Sequence, residues 1–136
     1  MASYEIWLKR AKSSLSLSKT VPDEFICYED LCFQAQQAAE KSIKALLLFY
    51  DIEPVKTHNL VTLLQELMQR CSIPDKLREV VLLTDYAVQT RYPGDYSPVE
   101  KTEYLAAVKI ADYCVRWIDK KIKRLSAKSD MPKLNI

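Results

Sequence analysis

Glycine is almost missing from this chain of 136 residues: Gly94 stands alone. A single glycine excludes the phosphate-cradling loops GxxxxGKS/T and GxGxxG, which need glycine at several backbone positions. Histidine is equally scarce, and His58 is the only imidazole. A zinc site or a serine or cysteine triad would have to rest on that one residue, and the sequence nominates no nucleophile beside it. The four cysteines, Cys27, Cys32, Cys71 and Cys114, form no CxxC pair. Three of them sit in apolar helical patterns, which reads as buried reduced thiols and not as metal ligands. No apolar run approaches the roughly 20 residues of a membrane span. Glu5 and Lys9 interrupt the apolar pattern of the first segment, unlike a signal peptide. Alternating β-branched runs are few. These absences predict an all-helical cytoplasmic protein with no metal and no cofactor.

What is present is helix-forming sequence around one dominant stretch, Leu31 to Tyr50, rich in Ala, Gln, Glu, Lys and Leu and free of Gly and Pro. Leu31, Ala35, Ala38, Ser42, Ala45 and Phe49 repeat at spacings of four and three, and Cys32, Ala39, Ile43, Leu46 and Tyr50 widen that stripe. Gln36, Gln37, Glu40, Lys41 and Lys44 fall on the opposite, polar side, with Glu40 and Lys44 placed for an i,i+4 pair. Carboxylates on the helices read as solvated charges. The small centre of the apolar face allows close approach, which suits the central helix of a bundle.

Four further helices are expected around it. Tyr4, Trp7, Leu8, Ala11 and Leu15 predict a helix over Ser3–Ser18. Asp23 is the expected cap of the central helix, which should end near Asp51 because Glu53 precedes Pro54. Leu60, Leu63, Leu64, Leu67, Met68 and Cys71 give a third stripe, capped by Thr57 or Asn59. A fourth runs through Leu77, Val80, Val81, Thr84, Ala87 and Val88 to Arg91. Ser97-Pro98-Val99-Glu100 has the pattern of a capping box for a fifth helix, with Tyr104, Val108, Ala111, Val115, Ile118, Ile122 and Leu125 on its stripe. The expected architecture is an all-α, up-and-down bundle of four or five helices over residues 1–125, followed by a basic flexible tail, 126–136. From Lys120 onward six basic residues face Asp130 alone, a balance of +5 within a net charge of +2. That end is either a contact for RNA phosphates or a solvated helix terminus, where cations also suit the dipole.

An up-and-down bundle would gather Asp51, Lys56, His58, Asn59, Arg91, Tyr92, Asp95, Tyr96 and Ser97 at one end. An arginine, a histidine and two tyrosines there could hold a phosphate and a base. The same residues also have a plain structural reading, with Asn59 capping, His58 bonded to a loop, Arg91 on helix-terminal carbonyls and the tyrosines packed.

Three segments then carry a resemblance: Phe33–Leu47, Thr57–Leu60 (Thr-His-Asn-Leu) and Asp85–Pro93. In that order they resemble a HEPN domain, and the similarity covers roughly Ser3 to Lys123. The resemblance implies a helical bundle that homodimerises through its central helices. It also implies a partner, since the family is often encoded beside a minimal nucleotidyltransferase in a toxin–antitoxin or related pair. Many members are metal-independent ribonucleases with an R-x4–6-H pattern, whose His moves protons while the Arg stabilises phosphate charge. Here Arg91 matches, the residue after four intervening positions is Tyr96, and no His follows. A tyrosine with a pKa near ~10 is a poor base at neutral pH. The reading is therefore a non-catalytic module that homodimerises and binds a minimal nucleotidyltransferase and a nucleotide through Arg91, Tyr92, Tyr96, His58 and Lys56. One alternative is a ribonuclease using Arg91 with Tyr96 or His58; another is a structural helical scaffold. Tyr96 or Tyr92 would be the acceptor if the partner nucleotidylates the chain. The chain is not itself the nucleotidyltransferase, which needs a Gly-Ser turn and paired aspartates on a strand.

Overall fold

A computed structural model describes residues 2–87 and 97–130, the last two by backbone alone. The described residues form an all-α bundle: α1 (Ser3–Ser18), α2 (Tyr28–Phe49), α3 (Leu60–Met68), a 3₁₀ segment (Asp75–Ala87) and α4 (Lys101–Asp130). The bundle expected from the sequence is the architecture observed, and α1 has the expected bounds. None of these helices is long and apolar enough to cross a membrane.

α2 is the axis, touched by all four other elements. Ala35, Ala38, Ala39 and Ala45 are fully buried, as are Ala11 of α1 and Ala111 and Cys114 of α4. Alanine meeting alanine lets the backbones approach closely, so α2 is enclosed on more than its apolar stripe. Ser42 manages its own polarity there, its hydroxyl donating to the Ala39 carbonyl at 2.9 Å. The larger Ile43, Leu46, Leu47, Leu60, Leu63, Leu67 and Ile118 fill the remaining core.

The ring and ion contacts fix directions. The Tyr4 ring meets Phe49 edge-on at 5.0 Å, so α1 runs antiparallel to α2. Tyr28 stacks on Tyr104 at 5.0 Å, and Ser42 lies 3.4 Å from Cys114, so α4 runs parallel to α2. Lys12 and Lys19 pair with Asp119 and Asp112 down the antiparallel α1–α4 seam. The Tyr104 hydroxyl donates to the Ser18 carbonyl at 2.6 Å, satisfying one of the orphan acceptors at the end of α1.

Several local expectations are corrected. Asp23 does not cap α2; its carboxylate accepts from the Phe25 N–H at 2.8 Å and shapes the connector, and Cys27 is the N-cap. α2 ends at Phe49, before the proline could stop it. The Ile52 N–H reaches the Leu47 carbonyl and the Asp51 N–H the Leu48 carbonyl, both at 2.9 Å. Those two bonds are a Schellman closure, and Asp51 takes the left-handed position at φ 59° that glycine usually fills. The Ser97 capping box does not start the last helix. Val99 is drawn into the core, its N–H donating to Glu29 at 2.8 Å, and the first helical bond runs from the Tyr104 N–H to the Glu100 carbonyl. The fourth element is 3₁₀, not α. It buries Leu77, Val80 and Leu83, a spacing of three that matches three residues per turn, while Val81 and Thr84 stay half-buried. Val88 and Arg91 of that expected stripe lie outside the described residues. α4 continues to Asp130, past the Leu125 boundary expected from the sequence.

Candidate functional site

Gln36, Glu40 and Lys44 follow one another at i,i+4 spacing along α2, and all three are buried. The sequence places them on a solvated face. The structure covers that face with the chain that joins α2 to α3. Two short-range devices hold that connector. Asn59 caps α3, its Oδ1 accepting from the Val61 N–H at 2.9 Å, while the Thr57 hydroxyl oxygen accepts from the Asn59 N–H at 3.0 Å. Farther back, the Val55 N–H reaches Glu66 of α3 at 3.3 Å.

The connector is then tied to the middle of α2 by His58. Gln36 Nε2 donates to the His58 carbonyl at 3.3 Å and to Glu40 Oε1 at 3.0 Å, while its own Oε1 accepts from Gln37 Nε2 at 2.8 Å. His58 Nδ1 meets Glu40 Oε1 at 2.9 Å, and Lys44 Nζ donates to Glu40 Oε2 at 3.0 Å. The expected Glu40–Lys44 pair is therefore present, but inside the protein. Burial pushes the Glu40 pKa up; the hydrogen bonds from Gln36, Lys44 and His58 outweigh it and hold the carboxyl below its ordinary value. An ionised carboxylate only accepts, so the proton on this side of the imidazole belongs to Nδ1, and in the neutral ring Nε2 carries the lone pair. The His58 side chain is 70% exposed although its anchor is only 4% exposed.

An open cleft of about 400 Å³ lies beside this network. Trp7 of α1, Lys44 and Leu48 of α2 and the stretch Glu53 to His58 line it. Lys44 Nζ stands 5.5 Å from the centre of the Trp7 ring, a cation–π contact that closes the ladder on its third side.

Of the residues nominated from sequence, the structure brings His58 and Lys56 together in this cleft. Asn59 is the α3 cap and Asp51 closes α2. Ser97 does not join them: Val99 bonds Glu29 near the first turn of α2, roughly 30 Å along the helix from Asp51 at 1.5 Å per residue. α4 begins at the start of α2, where the up-and-down reading put it at the end. Arg91, Tyr92, Asp95 and Tyr96 lie outside the described residues. Gln36, Glu40, Lys44 and Trp7 were missed as site residues. The signal for the first three was three hydrogen-bonding side chains in one i,i+4 register opposite the only His. Among the described residues no three His, Cys, Asp or Glu side chains come together as a metal site would require. Cys32 and Cys114 are buried free thiols, both pushed up to about 12, the first by burial and nearby carboxylates, the second by burial, and are unreactive.

Known proteins agree with this architecture. The family model of the HEPN domain matches residues 4–122. The crystal structure of TT1696 from Thermus thermophilus superposes with a TM-score of 0.77 at 27% identity, covering 89% of this chain and 99% of that one. ST0689, an archaeal HEPN homologue, gives 0.69 at 26% identity over 90% of this chain and 99% of its own. No curated protein matches the sequence.

Proposed function

Because this chain belongs to the HEPN domain family, we propose that it serves as a non-catalytic HEPN module. In this reading it homodimerises and binds a minimal nucleotidyltransferase, and with it a nucleotide, in a toxin–antitoxin-like pair. The observation that carries the reading is the broken motif: Arg91 is followed by Tyr96 where the nuclease pattern has its His. Arg91, Tyr92, Tyr96, His58 and Lys56 are the contacts this reading assigns to partner or nucleotide.

Co-expression with a minimal nucleotidyltransferase, followed by size-exclusion chromatography with light scattering, tests it. A dimer that retains the partner, and loses it in Arg91→Ala, is the expected result. A clean monomer at high concentration, or a partner held equally by Arg91→Ala, overturns it.

One observation favours a second reading. A carboxylate on Nδ1 of an exposed imidazole is the arrangement that orients a general base. A ribonuclease built on Arg91 and His58 would cut single-stranded RNA in excess chelator and lose that activity in both Arg91→Ala and His58→Ala.

A further inference from the structure

α4 sorts its charges by side. Asp112 pairs with Lys19 and Arg116, and Asp119 with Lys12 and Lys123, so both carboxylates and the cations on them are consumed along the α1 seam. On the other flank Tyr113, Trp117, Lys121, Arg124 and Lys128 follow at helical spacings of four, four, three and four, one continuous stripe. Lys76 Nζ stands 4.8 Å from the centre of the Tyr113 ring, which sets the stripe beside the 3₁₀ segment. Toward its far end, burial pushes the Tyr50 phenol up while Arg70 and Arg124 pull it down, so both guanidinium groups act on the end of α2. Among the described residues, the ion pairs leave Arg70, Lys76, Lys121, Arg124 and Lys128 without a carboxylate. The helix dipole accounts for Lys128, the cation in the last turn of α4. Its effect fades within that turn, and Lys121 and Arg124 lie before it.

Three of these cations sit over rings: Arg70 over Tyr50 at 5.1 Å, Lys76 over Tyr113 at 4.8 Å and Lys121 over Trp117 at 5.8 Å. Each ring also packs against the core. The cation occupies the ring face that a stacking base would use, and stacking is how single-stranded nucleic acid is held. What the rings supply instead is position. A cation–π contact holds a long side chain in place, and a held side chain loses less freedom when an anion binds it. From Lys121 to Lys128 the helix rises about 10 Å, with the exposed Arg124 between them. That row of fixed like charge suits successive carboxylates.

We propose that the flank of α4 beside the 3₁₀ segment, with Lys76, Lys121, Arg124 and Lys128 and completed by Arg70, docks an acidic segment of a partner polypeptide. The proposal goes beyond the reading above and depends on neither Arg91 nor His58.

The test uses the full chain and a fluorescein-labelled oligoglutamate peptide, followed by fluorescence anisotropy at physiological salt. Binding should saturate below millimolar peptide and weaken as salt rises, as contacts between exposed charges do. Arg124→Glu with Lys128→Glu turns two attractive contacts repulsive and should raise Kd at least about tenfold. Lys9→Glu with Lys101→Glu makes the same change in net charge at exposed sites off this flank and should leave Kd within about twofold. Circular dichroism checks that each variant folds. Arg124→Gln with Lys128→Gln removes the charges without reversing them, should raise Kd about threefold, and decides the matter if the reversed pair does not fold. Three results overturn the proposal. They are no saturable binding, equal weakening by the two glutamate pairs, and labelled oligouridylate binding as tightly as the peptide, which would make the flank a nucleic-acid surface.

Discussion

Glu40→Ala removes one carboxylate and strands the groups that depend on it. Lys44 loses its 3.0 Å partner while remaining 9% exposed, and Gln36 Nε2 keeps only the His58 carbonyl at 3.3 Å. His58 loses least, because its side chain is 70% exposed and water replaces the carboxylate. Removing one member of a buried pair costs about 3–5 kcal/mol, chiefly because the other charge is left uncompensated. The carboxylate's own desolvation is relieved and Lys44 borders the cleft, which places the loss at the lower end, about 3 kcal/mol. In a domain of this size 1 kcal/mol moves Tm by roughly 3–5 °C, so the midpoint should fall by about 10–15 °C. Adding Lys44→Met to a Glu40→Leu background should recover most of the loss, since an apolar pair is about neutral against an ionic one. His58→Ala should cost under about 1 kcal/mol. Urea unfolding followed by far-UV circular dichroism measures all of these variants. A Glu40→Ala loss below ~1 kcal/mol, or a double variant whose losses simply add, refutes the claim that the ladder is one coupled buried unit.

Three more outcomes are expected. Glu40 and Asp119 both have pKa values lowered in the fold, Asp119 by Lys12 and Lys123, whose bonds outweigh its burial. A lowered folded pKa gives stability that is present above the unfolded value and lost as pH falls through the folded one. Acid titration should therefore destabilise the protein from below about pH 4.5, the unfolded carboxyl value, and Glu40→Gln should flatten that limb. Tyr104→Phe deletes the 2.6 Å bond to the Ser18 carbonyl at a buried site and should cost roughly 1 kcal/mol in urea unfolding. Asp51→Gly should stabilise by about 0.5–1 kcal/mol, because the left-handed position costs a Cβ-bearing residue more than glycine loses in chain entropy; a lowered urea midpoint would contradict that.

The fold was legible where one face of a helix meets the core, and illegible where a residue's partner is remote in sequence. Trp7, Ala11 and Leu15 declare α1 by spacing alone. Val99 could not be foreseen, because Glu29 lies 70 positions away and spoils a capping pattern that looks complete on its own. The scarcity of glycine hid the end of α2, since nothing in the sequence flags an aspartate as the left-handed residue. Leu83 was overlooked because a period of 3.6 was applied where the chain uses three. The site suffered most from a correct rule applied too broadly: polar residues on a helix do face away from its apolar stripe, but α2 is enclosed on that side too. His58 and Lys56 were legible as exposed donors beside a turn. Glu40 and Gln36 were not, because only the returning connector turns a solvated face into an interior one.

The contact between Tyr104 and Ser18 spans 86 residues of chain, and it has a consequence for the order of folding. α1 and α2 are neighbours in sequence and pack antiparallel, so their hairpin can close early. α4 follows them in the chain and runs parallel to α2, and Ala107, Ala111, Cys114 and Ile118 are among its buried residues. Until that final helix arrives, the hairpin presents an open, alanine-lined seam with the Ser18 carbonyl unsatisfied. Closure of the bundle therefore depends on a long-range contact, and removal of α4 would uncover that apolar seam.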